Sequence, residues 1–199
     1  MERQLTQKGL ATRQRIIEGA VAEVRARGVA SSTLDDIRAV SQTSKSQLFH
    51  YFPDGKSELI LAVAQHEADR VIADQQPHLD NLTSWPAWRA WRDVVVQRYQ
   101  QQGQYCPLST LLSQIGPEVR EGREIVVDLL NQWQARLAEG IRSMRERGKI
   151  AASVDPDREA AALLAGLQGG VVVMLATGNI AHLEIALDTA IERLASSVA

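Results

Sequence analysis

From Ile16 to Leu194, apolar side chains recur every three or four positions. No stretch alternates apolar and polar residues over a strand's length between hairpin turns. The pattern predicts an almost wholly helical chain. A first helix is expected over about residues 10–27, with Ile16, Ile17, Ala20, Val21 and Val24 inward and Gly28 ending it. Residues 33–52 then read as two short helices split by a polar turn. Thr33 can cap the first, Asp36 suits a capping box, and Leu34, Ile37 and Val40 fall on one face. Ser41-Gln42-Thr43 breaks that pattern, and Ser44 with Gln47 supplies a second cap-and-box pair. Leu48 and Phe52 lie four residues apart, so both can face inward, and Pro53 stops the helix.

The pattern continues in longer helices. Ser57 to about Asp74 carries Leu59, Ile60, Val63, Ala64 and Val71 on one side and is broken by Pro77. Ser84 caps a tryptophan-rich helix with Pro86 in its first turn, and Gly103 to Pro107 reads as a break. A short helix is expected over Leu108–Ile115, a long one over about Glu118–Arg147, another from Asp155-Pro156, and a last one over about Ile180–Ser196.

Two capped helices joined by a three- or four-residue turn are the geometry that lays a second helix in the DNA major groove. On that second helix Lys45, Gln47, Phe49 and His50 should be exposed, while Leu48 and Phe52 hold it to the body. Lys45 can meet phosphate or guanine, Gln47 can pair with adenine, and Phe49 can pack on a thymine methyl. Phe49 and Tyr51 can also be read as ordinary core aromatics.

The same residues resemble the TetR family of one-component transcriptional repressors. The resemblance runs through residues 11–20, Arg27-Gly28, residues 32–37, Ser44 to Phe52 and Lys56 to Leu59, with Leu-Phe-His-Tyr-Phe-Pro followed by Lys56 its most specific part. It implies an all-α fold: an N-terminal three-helix helix-turn-helix domain over residues 1–56, then a helical effector-binding and dimerisation domain over residues 57–199. It also implies that Thr33, Ser44, Tyr51 and Lys56 are phosphate-side contacts, the first two through helix N-terminal amides. The chain departs from the family at Gln42 and Thr43, where a small residue or glycine and then an apolar residue are usual. A glutamine enters the left-handed turn conformation only at a strain cost that glycine avoids.

Net charge, −2 overall, does not advertise a nucleic-acid binder; its distribution is more informative, although chance asymmetry also accounts for it. Residues 1–52 hold 8 Lys/Arg and 5 Asp/Glu, against 14 and 19 in the remainder. A basic head on an acidic body fits a DNA-reading segment with another task behind it.

That task points to a small molecule. Trp85, Trp88, Trp91, Tyr99, Tyr105, Cys106, Leu112, Trp133 and Met174 offer flat, polarisable surface suited to a hydrophobic or aromatic effector. Tryptophans three residues apart can equally build core. The resemblance tips the choice toward an effector cavity, and Tyr105-Cys106-Pro107-Leu108 is similar to a break in a drug-responsive branch of the family. Cys106 is the only cysteine, so it has no disulfide partner within the chain; it reads as a buried thiol.

Leu163, Gly166, Leu167, Gly170, Val171, Leu183, Leu187, Ile191 and Leu194 are candidates for a homodimer interface, because the last two helices carry more apolar surface than one chain can cover. Some of them could instead line the cavity. The uncharged stretch Ala160–Ala181 has the length of a membrane span, but its four glycines, Gln168 and Asn179, and the lack of basic flanks, suit a buried helix better. No signal-peptide core appears in residues 1–20, and the chain is expected in the cytoplasm.

Enzyme readings fare poorly. Gly55-Lys56-Ser57 would complete a phosphate loop only with glycine at His50, no Gly-x-Ser-x-Gly elbow occurs, and the four histidines lack partners at metal-ligand spacing. No cofactor or metal is expected. The reading is a dimeric repressor released from operator DNA by its effector. Its rivals are a DNA-binding regulator with no ligand and a helical enzyme or interaction protein.

Overall fold

In the computed structural model, which describes residues 5–103 and 120–197, helix α1 spans Gln7–Ser31, with Thr6 capping it by accepting from the Gly9 amide at 3.2 Å. Gly28, at φ 80°, kinks its end, a conformation costly for any side chain. Helices α2 (Leu34–Ser41), α3 (Lys45–Tyr51) and α4 (Lys56–Ala73) follow. Further along are α5 (Trp85–Gln102), α6 (Arg120–Glu146), α7 (Pro156–Thr177) and α8 (Ala181–Ala195). A short 3-10 turn, Leu79–Asn81, lies in the α4–α5 connection, where helical periodicity gave no signal. The all-α expectation is met, with an N-terminal helix-turn-helix bundle followed by C-terminal helices. The described residues form two compact units: 5–69 with 120–126, and 70–103 with 127–197.

The core of the first unit is built from Ile16, Ile17, Ala20 and Val21 of α1, Ile37 of α2, Phe52, and Leu59 and Val63 of α4. The Arg13 guanidinium lies 5.2 Å from the centre of the Phe52 ring. Arg25 Nη2 donates to both carboxylate oxygens of buried Glu67 at 3.2 and 3.3 Å, tying α1 to α4.

Helix α2 sits differently from the expectation. It buries Ile37 and Ser41, one turn apart, and Val40 is 50% exposed. The reason lies opposite, at Gly19: a Cβ there would come within 2.8 Å of Ser41 Cβ and 3.1 Å of its backbone. The missing side chain lets α2 seat on Ser41, which rolls Val40 outward. Ser41 Oγ donates to the Ile37 carbonyl at 2.7 Å and is 2.7 Å from Thr43 Oγ1, so both buried hydroxyls are satisfied.

Gln42 adopts the left-handed conformation (φ 52°, ψ 46°), as the turn requires. Helix α2 therefore carries at its C-cap the strain that glycine would avoid. Gln42→Gly is expected to stabilise the chain by roughly 0.5–1 kcal/mol, the relief of left-handed strain outweighing glycine's entropy. An urea midpoint unchanged or lowered would contradict that reading of the turn.

In the second unit Ser84 caps α5 and Asp155 caps α7, accepting from the Asp157 and Arg158 amides at 3.0 and 3.3 Å. Gly178, left-handed at φ 71°, ends α7 and allows the chain to turn into α8. Arg92 of α5 forks onto Asp188 of α8 through Nε and Nη2 at 2.8 and 2.7 Å. That bidentate contact, opposed by partial burial, holds the Arg92 pKa above its ordinary value. Among the described residues α7 is the one helix long and apolar enough to cross a membrane; the most apolar 18 residues have mean hydropathy 1.8. Its Leu163, Leu167, Val171 and Met174 are buried within the protein.

Candidate nucleic-acid interface and C-terminal cavity

Helix α3 is short, and its caps define it. Ser44 Oγ accepts from the Gln47 amide at 3.1 Å while Gln47 Oε1 accepts from the Ser44 amide at 3.1 Å, a complete capping box. Leu48 and Phe52 are fully buried and fix the helix to the body. Lys45, Gln47 and His50 are exposed, and Phe49, an aromatic in water, is 39% exposed. Phe49 thus lies outside the side of α3 that its buried anchors form.

The box engages one of the two lone pairs of Gln47 Oε1.

Thr33 caps α2 by accepting from the Asp36 amide at 3.1 Å, and its hydroxyl donates to Asp36 Oδ2 at 2.5 Å. That hydroxyl bond is the main reason the Asp36 carboxyl sits below its ordinary pKa; slight desolvation opposes it, and Arg27, 3.5 Å away, adds to it. A depressed carboxylate supports folding above its ordinary pKa, and the contribution is lost as pH falls through the lowered value. Lys56 Nζ donates to the Ala30 carbonyl at 3.4 Å, near the start of α2. Tyr51 is half-buried and packs on the head core, its hydroxyl near Gly9 of α1. The structure thus places Thr33, Ser44, Lys45, Gln47, Phe49, His50, Tyr51 and Lys56 in one small unit, with Tyr51 and Lys56 half-buried and the rest exposed.

The aromatic residues expected around a cavity divide. Trp88, Trp91 and Trp133 are wholly buried core side chains, and Trp88 and Trp91 meet edge to face at 5.8 Å and 83°. Trp91 Nε1 donates to Gln75 Oε1 at 2.8 Å, whereas Trp88 Nε1 and Trp133 Nε1 are buried without an acceptor among the described residues. Trp85 is half-buried at the first position of α5. Among the described residues, Tyr99 and Met174 line a half-open cavity of about 550 Å³ completed by Gln100, Gly103, Gly178, Asn179 and Ile180. Gly103, Gly178 and Ile180 were missed by sequence reasoning, because a cavity wall made of helix ends has no compositional signature. Tyr105, Cys106 and Leu112 lie outside the described residues.

The candidate dimer residues also divide. Leu163, Leu167, Val171, Leu183, Leu187, Ile191 and Leu194 are buried within one chain, so their side chains hold α7 and α8 in place instead of facing outward. Gly170 is likewise internal: a Cβ there would lie 2.6 Å from Leu183 Cα and 3.1 Å from the His182 carbonyl oxygen. Gly166 is half-buried, with Ala186 Cβ 3.9 Å from where its own would be. The large outward apolar side chains on these helices are Val172 and Ile185, 65% and 63% exposed, and Gly169, one turn before Val172, opens to empty space.

A capped, anchored and outward-facing second helix on a three-helix head defines the helix-turn-helix class of DNA-binding proteins. Known proteins agree. Residues 86–190, more than half of the chain, match the family described as tetracyclin repressor-like, C-terminal domain, and residues 16–63 match bacterial regulatory proteins, tetR family. The chain is 22% identical over 162 residues to the transcriptional regulator AcuR of Cereibacter sphaeroides, covering 80% of this chain and 74% of that protein. Its fold is similar to a TetR transcriptional regulator from Chloroflexus aurantiacus, with TM-score 0.80, 22% identity and coverage of 97% and 98% of the two chains. The fold is also similar to that of a SmeT–triclosan complex, at TM-score 0.72, 20% identity and coverage of 92% and 91%. The chain belongs to the TetR family, and it is a DNA-binding transcriptional regulator rather than an enzyme.

Proposed function

We propose that the protein is a ligand-responsive repressor that binds a pseudo-palindromic operator as a homodimer and is released by a small hydrophobic or aromatic effector. Residues 1–56 serve as the DNA-reading domain and residues 57–199 as the effector-binding and dimerisation domain. The protein acts in the cytoplasm, on operator DNA. The observation that carries the reading is the solvent-facing row Lys45, Gln47, Phe49 and His50 on a helix anchored by Leu48 and Phe52. Thr33, Ser44, Tyr51 and Lys56 flank it as phosphate-side groups. A two-fold dimer would set its two heads about 34–36 Å apart, one helical turn of DNA.

The cavity of about 550 Å³ with Tyr99 and Met174 on its wall supports the effector, since it falls within the size range of small-molecule pockets. Triclosan, in the SmeT complex of similar fold, is an aromatic ligand of the kind proposed. Membership of a drug-responsive branch would follow from such a ligand. The effector needs to favour the released state by only about 1–3 kcal/mol to control occupancy. One observation favours a regulator without a ligand instead: the three indoles of Trp88, Trp91 and Trp133 are core, leaving fewer aromatics for a cavity. For the dimer, outward Val172, Ile185 and Gly169 support pairing through α7 and α8, backed from within by Leu167, Val171, Leu183 and Leu187.

Phe49→Ala and Lys45→Ala should each cost roughly 1–3 kcal/mol of operator affinity, measured by fluorescence anisotropy on a selected operator. Lys56→Ala should weaken binding across sequences and lower the salt slope by about one. Wild-type affinity in both recognition-helix variants would remove α3 from the interface, and an unchanged slope would remove Lys56 as a phosphate contact.

A further inference from the structure

Beside the recognition helix lies a surface that the DNA-contact residues above do not use. Asp35, Arg38, Ala39, Gln42 and Thr43, which immediately precede Ser44, the cap of α3, line a shallow concavity of about 460 Å³. Arg38 is a cation in the last turn of α2, its side chain 30% accessible. Its Nη1 donates to Asp35 Oδ1 at 2.5 Å, one turn back on the same face. Its Nε is buried and has no acceptor among the described residues. A guanidinium presents five N–H donors in a rigid fork that suits phosphate. Here one exposed carboxylate, on a side chain 85% accessible, occupies a single arm. Exposed ion pairs of this kind are weakly held and are readily exchanged for a better acceptor.

We propose that Arg38 is a further DNA contact, one that binds a backbone phosphate beside the recognition helix, and that Asp35 masks it in the free protein. The proposal rests on the DNA-head reading above and adds to it a cation held back until DNA arrives. Asp35 carries the same charge as the phosphate, so it opposes non-specific approach as long as it stands unexchanged. Together the pair would set how strongly the head discriminates operator from bulk DNA. Asp36, the neighbouring acid, does not compete, being engaged with Thr33 and Arg27 on another side of α2.

The test uses the full chain on a selected operator and on a random duplex, each titrated at several salt concentrations, with far-UV melting to confirm that every variant folds. Arg38→Ala should lose on the order of tenfold affinity on both duplexes, with the salt slope reduced by about one. Asp35→Asn should bind random DNA several-fold more tightly, roughly as removal of one opposing charge predicts. That gain should shrink in the Arg38→Ala background if Asp35 acts through Arg38. A loss confined to the operator, with the slope unchanged, would overturn the phosphate assignment in favour of a base contact. Wild-type affinity and slope in Arg38→Ala, while Lys45→Ala loses operator binding, would overturn the proposal and leave the head reading intact. If Lys45→Ala and Phe49→Ala also bind like wild type, the head reading falls with it.

Discussion

Replacing Trp91 with alanine is expected to destabilise the C-terminal unit by about 4 kcal/mol or more, the largest effect of any single change considered. Two losses add. The indole is wholly buried against Trp88, and emptying such a site costs roughly 3–5 kcal/mol. Removal of its N–H also strands Gln75 Oε1, on a side chain 3% exposed whose amide already donates to the Val71 carbonyl at 2.7 Å. An orphaned buried acceptor costs roughly a further 1–3 kcal/mol. Against a total stability of about 5–15 kcal/mol, that leaves little margin.

Phenylalanine separates the two losses. Trp91→Phe keeps most of the apolar contact but still strands Gln75, whereas Trp88→Phe removes an N–H that has no acceptor among the described residues. Chemical unfolding followed by circular dichroism should therefore show Trp91→Phe more destabilised than Trp88→Phe, by about 1–3 kcal/mol. Equal costs would mean the Trp91–Gln75 bond contributes nothing net.

Gly170→Ala should destabilise by roughly 1–3 kcal/mol or more, although alanine is the better helix former by about 1 kcal/mol. The sign is decided by what the new methyl meets. At Gly170 it meets backbone, Leu183 Cα at 2.6 Å and Leu183 N at 3.0 Å, which can give way only if α8 moves off α7. At Gly169, one residue earlier, it meets nothing within 4 Å. Gly169→Ala should thus raise the unfolding midpoint of the chain, by an amount corresponding to about 0.5–1 kcal/mol. If Gly169 lies in the dimer interface as proposed, the same change should weaken association, which sedimentation velocity would detect as a raised dissociation constant. Opposite signs at adjacent glycines of one helix have no explanation in propensity alone. Destabilisation at both, or at neither, would contradict the close α7–α8 contact.

Much of this architecture is legible in the residues because local rules act alone there. Ser44 and Gln47 announce their box, Ser84 and Asp155 announce their helices, and Gly28, Gly103 and Gly178 end theirs, since caps depend on neighbours three or four positions away. Tertiary contacts override such rules elsewhere. Val40 has the right spacing to be buried, yet Gly19 draws Ser41 inward and turns Val40 out. The G-x-x-x-G pair of α7 marks close helix approach, but nothing in its spacing tells a neighbour in the same chain from one in a second copy. Gly170 turns out to face Leu183 of its own chain. Tryptophan spacing carried the same ambiguity: Trp88 and Trp91 are core, while the cavity is walled by Tyr99, Met174 and helix ends. At the DNA head the exposed set was legible because the buried Leu48 and Phe52 determine which way the rest of α3 faces.

The most direct test of the central claim is selection from a random-sequence duplex pool by the purified full-length protein, with Phe49→Ala selected in parallel. Wild type should enrich a two-fold symmetric site whose half-sites lie one helical turn apart, and the variant should lose preference within each half-site while keeping the spacing. Failure of the wild-type protein to enrich any site, or enrichment of the same site with undiminished preference by Phe49→Ala, would contradict an operator read by α3.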